Sequence, residues 1–179
     1  EEQEAVSSIF DNGGVLLAHG FDDVRGGIYH VREFENACAR HFNVAHCIAV
    51  SSGTAAVKIA LKAAGVQRGD EVITQAFNFI AVVEAILDVG AIPIIANVDK
   101  TLNMKPADAE SLISPRTRAL LPVHMLGVSA DMPAFREMAQ RHNLALVEDA
   151  CEAIGGQHQG CHLGGWGDSA AFSFDQGKM

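Results

Sequence analysis

The sequence predicts an α/β fold in which a mostly parallel sheet is sandwiched by helices. Short apolar runs with little polar alternation recur along the chain, as expected of strands buried on both faces of a parallel sheet. Longer segments with a helical spacing of apolar residues lie between these runs. No Pro-, Gly- or Ser-rich linker divides the 179 residues, of which 49% are hydrophobic. The chain is therefore long and apolar enough to build one core around such a sheet.

Five helices are predicted from this spacing and from the residues at their ends. Gly65 and Gly90 end the second and third, because glycine readily adopts the left-handed conformation at a helix C-terminus. Pro106 opens the fourth, since proline is tolerated in a first turn, and Asp131 is a suitable N-cap for the fifth. The predicted helices cover residues 31–42, 54–64, 78–89, 106–113 and 132–142.

Six strands and one hairpin are predicted around these helices. Pro93 places its strand at a start or at a sheet edge, because proline has no N–H to donate. Gln159-Gly160 predicts the tight turn of the hairpin. The strands cover residues 47–50, 71–74, 92–96, 119–123, 144–147 and 169–173, and the hairpin covers residues 154–163. Ligands of such sheets bind beyond the carboxyl ends of the strands, so functional residues are expected there.

Charge and composition argue against several classes of partner. A net charge of -9 disfavours binding to nucleic acid or to anionic membranes. No apolar run approaches the roughly 20 residues that cross a bilayer. The four cysteines form no C-x-x-C pair, which favours reduced, mostly buried thiols and a cytoplasmic protein.

One short stretch has the residue types of a zinc site. His158, Cys161 and His162 could each bind zinc. Strand alternation in the predicted hairpin would direct these side chains to opposite faces, and no second ligand cluster accompanies them. We therefore predict no metal site.

A turn of small residues, Ser51-Ser52-Gly53-Thr54, joins a predicted strand to a predicted helix. Small side chains let the backbone approach an anion, and the first helical turn offers unpaired N–H groups at the positive end of its dipole. The same residues would also suit an ordinary helix cap. This motif alone predicts a phosphate site or a cap with equal force.

Asp149 and Lys178 both follow predicted strands. An acid beside a pyridine nitrogen keeps that nitrogen protonated, and a lysine amine can form a Schiff base with an aldehyde. Together with a phosphate site at residues 51–54, these groups are what pyridoxal 5'-phosphate (PLP) requires of a protein. Taken singly, a strand-end acid can cap a helix, and a lone lysine is usually a surface amine.

Two further features fit the same interpretation, and one adjacent acid does not. Ser173, near the end of the last predicted strand, could reach a phosphate. Phe77 or Phe79 could stack on a planar ring, although phenylalanines in an apolar segment more often belong to the core. Glu148 would alternate to the opposite side of its strand from Asp149, so we expect it to be structural.

The order of these motifs resembles the DegT/DnrJ/StrS sugar aminotransferases, which are fold-type I PLP enzymes acting on keto sugars. The resemblance extends from residue 31 to the last residue and implies a PLP-binding large domain, residues 31–179, after an N-terminal arm, residues 1–30. Because the chain lacks an initiator Met and stops one residue after Lys178, we expect a truncated large domain without the family's C-terminal small domain. The motifs are Ser-Gly-Thr-Ala-Ala (52–56), Phe-Asn-Phe (77–79), Pro-Val-His-Met-Leu-Gly (122–127), Glu-Asp-Ala (148–150) and Phe-Ser-Phe-x-x-x-Lys (172–178).

The resemblance also implies roles for single residues. It makes Lys178 the Schiff-base lysine, Asp149 the partner of the pyridine nitrogen, and Phe79 the aromatic residue that stacks on the ring. Lys178 stands where the dehydratases of the family carry His, which favours transamination. The phosphate ligands that the resemblance implies are Gly53, Thr54 and Ser173.

Glu152 departs from the pattern of the family. It occupies a position near the cofactor's ring hydroxyl where many members carry Gln or His. An ionised acid facing a phenolate is disfavoured, so Glu152 would have to be protonated or turned away. Its place among the cofactor-binding residues is therefore an expectation without a defined role.

The resemblance implies an enzyme that moves an amino group from an amino acid, L-glutamate, to a keto sugar in surface polysaccharide or lipopolysaccharide biosynthesis. Residues 10–21 and Glu-Asp-Ala-Cys-Glu (148–152) resemble the 8-amino-3,8-dideoxy-manno-octulosonate transaminase branch, which aminates 8-keto-3-deoxy-octulosonate. A nucleotide-linked 3- or 4-keto-hexose is the alternative substrate. Members are homodimers with shared active sites, so we expect a homodimer here.

Other classes of function are disfavoured by particular residues. A non-catalytic regulatory or assembly protein with this fold should have lost Lys178 or Asp149, and the chain has both. It contains neither G-x-x-x-x-G-K-[ST] nor G-x-G-x-x-G, which argues against a P-loop or dinucleotide site. The 122–127 and Phe-Ser-Phe motifs favour sugar transamination over a desulfurase or a β-eliminase.

Overall fold

A computed structural model describes residues 1–178, which form two compact units. The first unit, Glu1–Ala49, contains only helices. These are α1 (Glu2–Asp11), α2 (Asp22–Arg25) and α3 (His30–Phe42), the last of which confirms the helix predicted over residues 31–42. The second unit begins at Val50. The division into an arm of residues 1–30 and a large domain of residues 31–179 stays a prediction.

The strand predicted over residues 47–50 is wrong. Asn43 ends α3 in the left-handed conformation, with φ 54°, and the chain then turns back beside the helix. The N–H of Ala49 donates to Glu35 Oε1 over 2.8 Å instead of pairing with another strand. Ile48 is 73% exposed. An apolar run forms a strand only where a neighbour accepts and donates its backbone hydrogen bonds.

The second unit is built on a five-stranded sheet in which every recorded strand pair is parallel. The strands are β1 (Glu71–Gln75), β2 (Ile92–Ala96), β3 (Thr117–Leu121), β4 (Ala145–Asp149) and β7 (Ser169–Ala171). Their order across the sheet is β2-β1-β3-β4-β7. Pro93 lies in β2, which is an edge strand, as its missing N–H predicted.

The predicted hairpin is present between β4 and β7. Its strands, β5 (Gln157–His158) and β6 (Cys161–His162), pair in antiparallel fashion. Gln159 and Gly160 form the turn with φ values of 48° and 78°. Two successive positive φ angles match the twist of a tight two-residue hairpin, which explains the glycine.

Helices cover both faces of the parallel sheet. α4 (Gly53–Ala63) and α5 (Ile80–Asp88) pack on one face, and α6 (Pro106–Ser111) and α7 (Met132–His142) on the other. Successive strand residues serve opposite faces: Val72 packs into the cluster with α4 and α5, and Ile73 into the cluster with α7. Both are fully buried, and burying one such side chain contributes about 1.5–3 kcal/mol. The predicted α/β fold is confirmed.

The helix ends follow the predicted chemistry. Ser52 Oγ accepts a hydrogen bond from the N–H of Ala55 at the start of α4, and Asp131 Oδ1 accepts one from Ala134 at the start of α7. Gly65 and Gly90 follow α4 and α5 with φ values of 80° and 83°.

None of the helices within residues 1–178 combines the length and apolarity needed to cross a lipid bilayer.

All four cysteines are free, but the prediction that they are mostly buried is wrong. Only Cys151 is buried, at the carboxyl end of the sheet. The three partly exposed thiols lie on or after a surface helix or in the hairpin: Cys38, Cys47 and Cys161.

Candidate active site

The carboxyl ends of three parallel strands carry most of the predicted site residues. Phe79 follows β1, Asp149 is the last residue of β4, and Ser173 follows β7. Lys178 is the last residue of a short 3₁₀ turn, Gln176–Lys178, beyond β7. Because the strands are parallel, these ends share one edge of the sheet, where ligands bind in open α/β folds.

The start of α4 packs closely against this edge. A Cβ added at Gly53 would lie 3.1 Å from Cys151 Sγ and 3.2 Å from Ser173 Cβ, so only glycine fits here without displacement. Ser52 accepts from the N–H groups of Ala55 and Ala56. Within the described residues, the N–H groups of Gly53 and Thr54 belong to the first turn of α4 and have no acceptor inside the helix. They can therefore donate to an anion at the positive end of the helix.

Asp149 is buried, with 5% of its surface exposed. Its Oδ1 accepts a hydrogen bond from the N–H of Cys151 over 3.0 Å. Burial, reinforced by the nearby Asp149 carboxylate, raises the pKa of the Cys151 thiol, so this cysteine stays protonated at neutral pH. A carboxylate has about four acceptor positions, which leaves Asp149 able to take a further donor such as a ring N–H.

The Lys178 amine lies against Phe79 and Glu152. Its Nζ is 5.0 Å from the centroid of the Phe79 ring and 3.9 Å from Glu152 Oε1. The Lys178 side chain is 21% exposed, and the Phe79 residue is 59% exposed. A cation at this distance from an aromatic face is attracted to it, and a face this open can accept a flat ligand. Phe79 is therefore not a core residue.

Glu152 is oriented by the loop that follows β3. Its Oε2 accepts the N–H of Leu126 over 3.0 Å, while Oε1 faces Lys178. Leu126 has φ 53°, and Gly127 follows with φ 79°, so the loop turns sharply at this point. The Glu152 carboxylate is therefore directed towards the lysine and the loop.

Two buried amides that the sequence analysis did not single out hold this edge together. Gln75 Oε1 accepts from the N–H groups of Met104 and Val123, at 3.1 and 3.2 Å. Asn103 Oδ1 accepts from Met125 over 2.9 Å, and its Nδ2 donates to the carbonyl of Val128 over 3.2 Å. Both residues fix the loop after β3. The available signal was a polar residue at the end of an apolar strand, which Gln75 provides.

Two further residues, His124 and Glu148, are buried on the other side of β4 from Asp149. Glu148 was expected to be structural, and it is fully buried with its own set of hydrogen bonds. Within residues 1–178, no group of three or more His, Cys, Asp or Glu side chains is arranged to hold a metal ion.

Comparison with known sequences places the chain in a family. A model of the DegT/DnrJ/EryC1/StrS aminotransferase family matches residues 23–179. The chain belongs to this family. Its aminotransferases are PLP-dependent, and the family's solved structures include complexes with bound cofactor.

Two relatives and one solved structure illustrate the similarity within the DegT/DnrJ/EryC1/StrS family. GDP-perosamine synthase of Caulobacter vibrioides is 43% identical over 148 residues, which are 82% of this chain and 40% of that protein. The dTDP-3-amino-3,4,6-trideoxy-alpha-D-glucose transaminase of Micromonospora megalomicea is 40% identical over 177 residues, which are 98% of this chain and 45% of that protein. The structure of DesV from S. venezuelae, solved with a ketimine intermediate, has a TM-score of 0.88 and 38% identity.

The chain spans less than half the length of these relatives. The structural match covers 98% of this chain but only 45% of the DesV chain. The residues present fit PLP in three respects: the absence of a side chain at Gly53 lets the start of α4 approach Ser173, Asp149 keeps unused acceptor capacity, and Lys178 lies over the exposed Phe79 ring.

Proposed function

We propose that this chain carries the cofactor-binding part of a PLP-dependent sugar aminotransferase, which moves an amino group from L-glutamate to a keto sugar. The observation that carries the proposal is the Lys178 amine, 5.0 Å from the centroid of the Phe79 ring. Asp149 and Ser173 lie at the ends of strands on the same edge of the sheet. An amine, an open aromatic face and a buried acid at one edge suit a flat cofactor that carries an aldehyde.

Different residues are proposed to bind different parts of the cofactor. When bound, PLP supplies an aldehyde for amines to add to and a ring that withdraws electrons from the substrate carbon. The N–H groups of Gly53 and Thr54, with the Ser173 hydroxyl, bind the phosphate, and Phe79 supports the ring. Asp149 holds a proton on the ring nitrogen. Its burial keeps water from competing for that hydrogen bond.

Lys178 has two tasks in this proposal. Its Nζ holds the cofactor between turnovers, and after release it moves a proton to and from the substrate carbon. Glu152, 3.9 Å away, keeps the free amine close to the site. The presence of Lys rather than His at this position supports transamination over dehydration.

We propose a nucleotide-linked keto-hexose as the sugar substrate. Support comes from the names of two relatives, a GDP-perosamine synthase and a dTDP-linked amino sugar transaminase. The motif at residues 10–21, together with residues 148–152, favours 8-keto-3-deoxy-octulosonate as a second candidate. The complete protein is proposed to act in the cytoplasm as a homodimer that shares its active sites.

The cofactor assignment is tested on the complete protein by absorbance. With PLP added, we expect a band at roughly 410–430 nm, typical of PLP joined to a lysine, and we expect Lys178→Ala to lack it. Lys105→Ala is the matched control, because that lysine pairs with Asp108 on α6. A complete protein that stays colourless with PLP would refute the proposal.

The substrate is tested by a glutamate-dependent amination screen. The panel contains nucleotide-linked 3-keto- and 4-keto-hexoses and 8-keto-3-deoxy-octulosonate, and the readout is 2-oxoglutarate formed per enzyme. Turnover of a nucleotide sugar alone supports the first candidate, and turnover of the octulosonate alone supports the second. A coloured enzyme that aminates none of them would contradict both substrates but leave the cofactor assignment intact.

A further inference from the structure

The Glu148 carboxylate collects an unusually complete set of donors. It is fully buried, one residue before Asp149 in β4. Oε1 accepts from the N–H groups of Trp166 and Gly167, both at 2.7 Å, and Oε2 accepts from Gly164 at 2.8 Å. Three backbone donors therefore tie β4 to the 164–167 turn.

The turn can approach β4 because it is rich in glycine. A Cβ at Gly167 would lie 2.4 Å from the carbonyl oxygen of Leu146, and one at Gly164 would lie 2.3 Å from the Phe172 ring. The Gly167 contact is with the backbone of β4 and would push the turn away from that strand, whereas the Gly164 contact is with the Phe172 side chain. Gly167 and the Glu148 carboxylate therefore both depend on the close approach of the turn to β4.

His124 supplies the fourth donor to Glu148 from the loop after β3. Its Nδ1 accepts the N–H of Ala130 over 3.2 Å, so the ring proton resides on Nε2. Nε2 lies 3.0 Å from Glu148 Oε2 and donates to it. The imidazole, which is fully buried, therefore joins the loop that follows β3 to β4.

The backbone around His124 also holds Asp149 on both sides. The N–H of Asp149 donates to the carbonyl of Pro122 over 2.9 Å, and the N–H of His124 donates to the carbonyl of Asp149 over 3.0 Å. Ring and backbone of His124 thus fix two successive residues, Glu148 and Asp149. The Asp149 side chain, on the other side of the strand, is left to face the site.

We propose that His124 and Glu148 are positioning residues for Asp149: their buried hydrogen bonds fix the end of β4 so that the Asp149 carboxylate meets the cofactor ring in one orientation. This inference rests on the proposed function, because it assigns Asp149 to the ring. A misplacement of about 1 Å at a reacting group can cost about 100-fold in rate, so rigid support of this acid matters.

A merely structural role is the rival explanation, and the chain offers a matched control for it. Glu71 is also a buried carboxylate, 4% exposed, but it lies at the amino end of the same sheet. It accepts hydrogen bonds from Ser114 and Arg116. Glu71→Gln should destabilise the fold without disturbing Asp149.

The experiment compares Glu148→Gln, His124→Gln and Glu71→Gln in the complete protein. The first readout is amide hydrogen exchange at Asp149 and Cys151 without cofactor. The second is the rate constant of the half-reaction with L-glutamate. We expect faster exchange at both amides in Glu148→Gln and His124→Gln than in Glu71→Gln. The half-reaction should slow by about 10- to 100-fold in the first two variants, the loss typical of removing a supporting hydrogen bond behind a site ligand.

The inference is overturned if these two variants match Glu71→Gln in both readouts. Should Glu148→Gln fail to fold, His124→Gln decides alone, since it leaves the three backbone donors of Glu148 in place. A wild-type protein that binds no PLP would refute the proposed function, and the exchange measurement would still judge the positioning of Asp149.

Discussion

Two buried carboxylates at opposite ends of the parallel sheet, Glu71 and Asp149, differ in the number of partners that the fold gives them. At the amino end, Glu71 accepts hydrogen bonds from Ser114 and from Arg116, the latter over 2.9 Å. At the carboxyl end, the Asp149 carboxylate is bonded to the N–H of Cys151, and Lys178 lies on the open face of Phe79. The first acid is enclosed by partners within the fold. The second keeps acceptor positions available for a ligand.

The proposed function assigns the unused acceptor capacity of Asp149 to the cofactor ring, whereas Glu71 is bonded within the fold. Glu148 and Asp149 repeat this difference within one strand: the first is fully buried with four donors, and its neighbour has unused capacity. Burial therefore does not distinguish these carboxylates, whereas the number of hydrogen-bond partners that the fold supplies does.

The largest effect should come from neutralising the carboxyl-end acid. Asp149→Asn keeps the size of the side chain but removes the charge that, in the proposed function, holds a proton on the ring nitrogen. We expect the half-reaction with L-glutamate to slow on the order of 100- to 1000-fold, as when one preorganised electrostatic partner is lost. Stopped-flow absorbance of the complete enzyme measures this. An equal loss in Glu71→Gln would abolish the distinction between the two ends.

Filling the space at the start of α4 should have the next largest effect. In Gly53→Ala, the new Cβ would lie 3.1 Å from Cys151 Sγ and 3.2 Å from Ser173 Cβ. Either the helix start or the side chains of Cys151 and Ser173 must then shift, and we expect the Kd for PLP to rise about tenfold, equivalent to about 1.4 kcal/mol. Equilibrium titration measures this change. An unchanged Kd for PLP would mean that the close approach of the start of α4 to Ser173 is not needed for phosphate binding.

The amino-end carboxylate should affect stability in a pH-dependent way. The hydroxyl of Ser114, and then the guanidinium of Arg116, hold the pKa of Glu71 below its ordinary value. The stability that Glu71 adds is therefore fully present above the unfolded-state pKa of about 4.3 and is lost as the pH falls through the lower folded value. We expect Glu71→Gln to lower the free energy of unfolding at pH 7 and to differ less from wild type below pH of about 4. Urea unfolding across pH measures this, and a difference independent of pH would contradict it.

A surface pair away from both sheet ends should have the smallest effect. Lys58 on α4 and Asp88 on α5 form an ion pair of 2.7 Å with both side chains largely in solvent. We expect Lys58→Gln to lower the free energy of unfolding by less than about 1 kcal/mol, and the difference to shrink in high salt. Urea unfolding at low and high salt is the measurement. A larger loss of unfolding free energy that does not change with salt would contradict this, because it would mean that the Lys58 side chain stabilises the fold by more than its charge.

Much of the second unit could be predicted from local sequence. Pro93 gave the edge strand, Asp131 the start of α7, and Gln159-Gly160 the hairpin turn, because each depends on the conformational limits of one or two residues. The strand predicted over residues 47–50 was wrong because strand formation depends on a partner elsewhere in the chain. The N–H of Ala49 instead donates to the Glu35 side chain.

The candidate site also contains features that local sequence predicts and features that depend on distant parts of the chain. The order of motifs led to Asp149 and Lys178, and strand alternation separated Glu148 from Asp149. The partners of Glu148 could not be read from the sequence, since His124 and Trp166 are distant along the chain and meet it only in the folded sheet. The orientation of Glu152 towards Lys178 likewise depends on the backbone of Leu126.

The most direct test of the carboxyl-end site is the location of the covalent bond to the cofactor. The complete protein is incubated with PLP, reduced with borohydride and digested, and the modified peptide is identified by mass spectrometry. We predict modification of the peptide that contains Lys178, with none on the peptides that contain Lys58 or Lys105. A label spread over all lysines, or absent from Lys178, would contradict the assignment of this sheet edge as the PLP site.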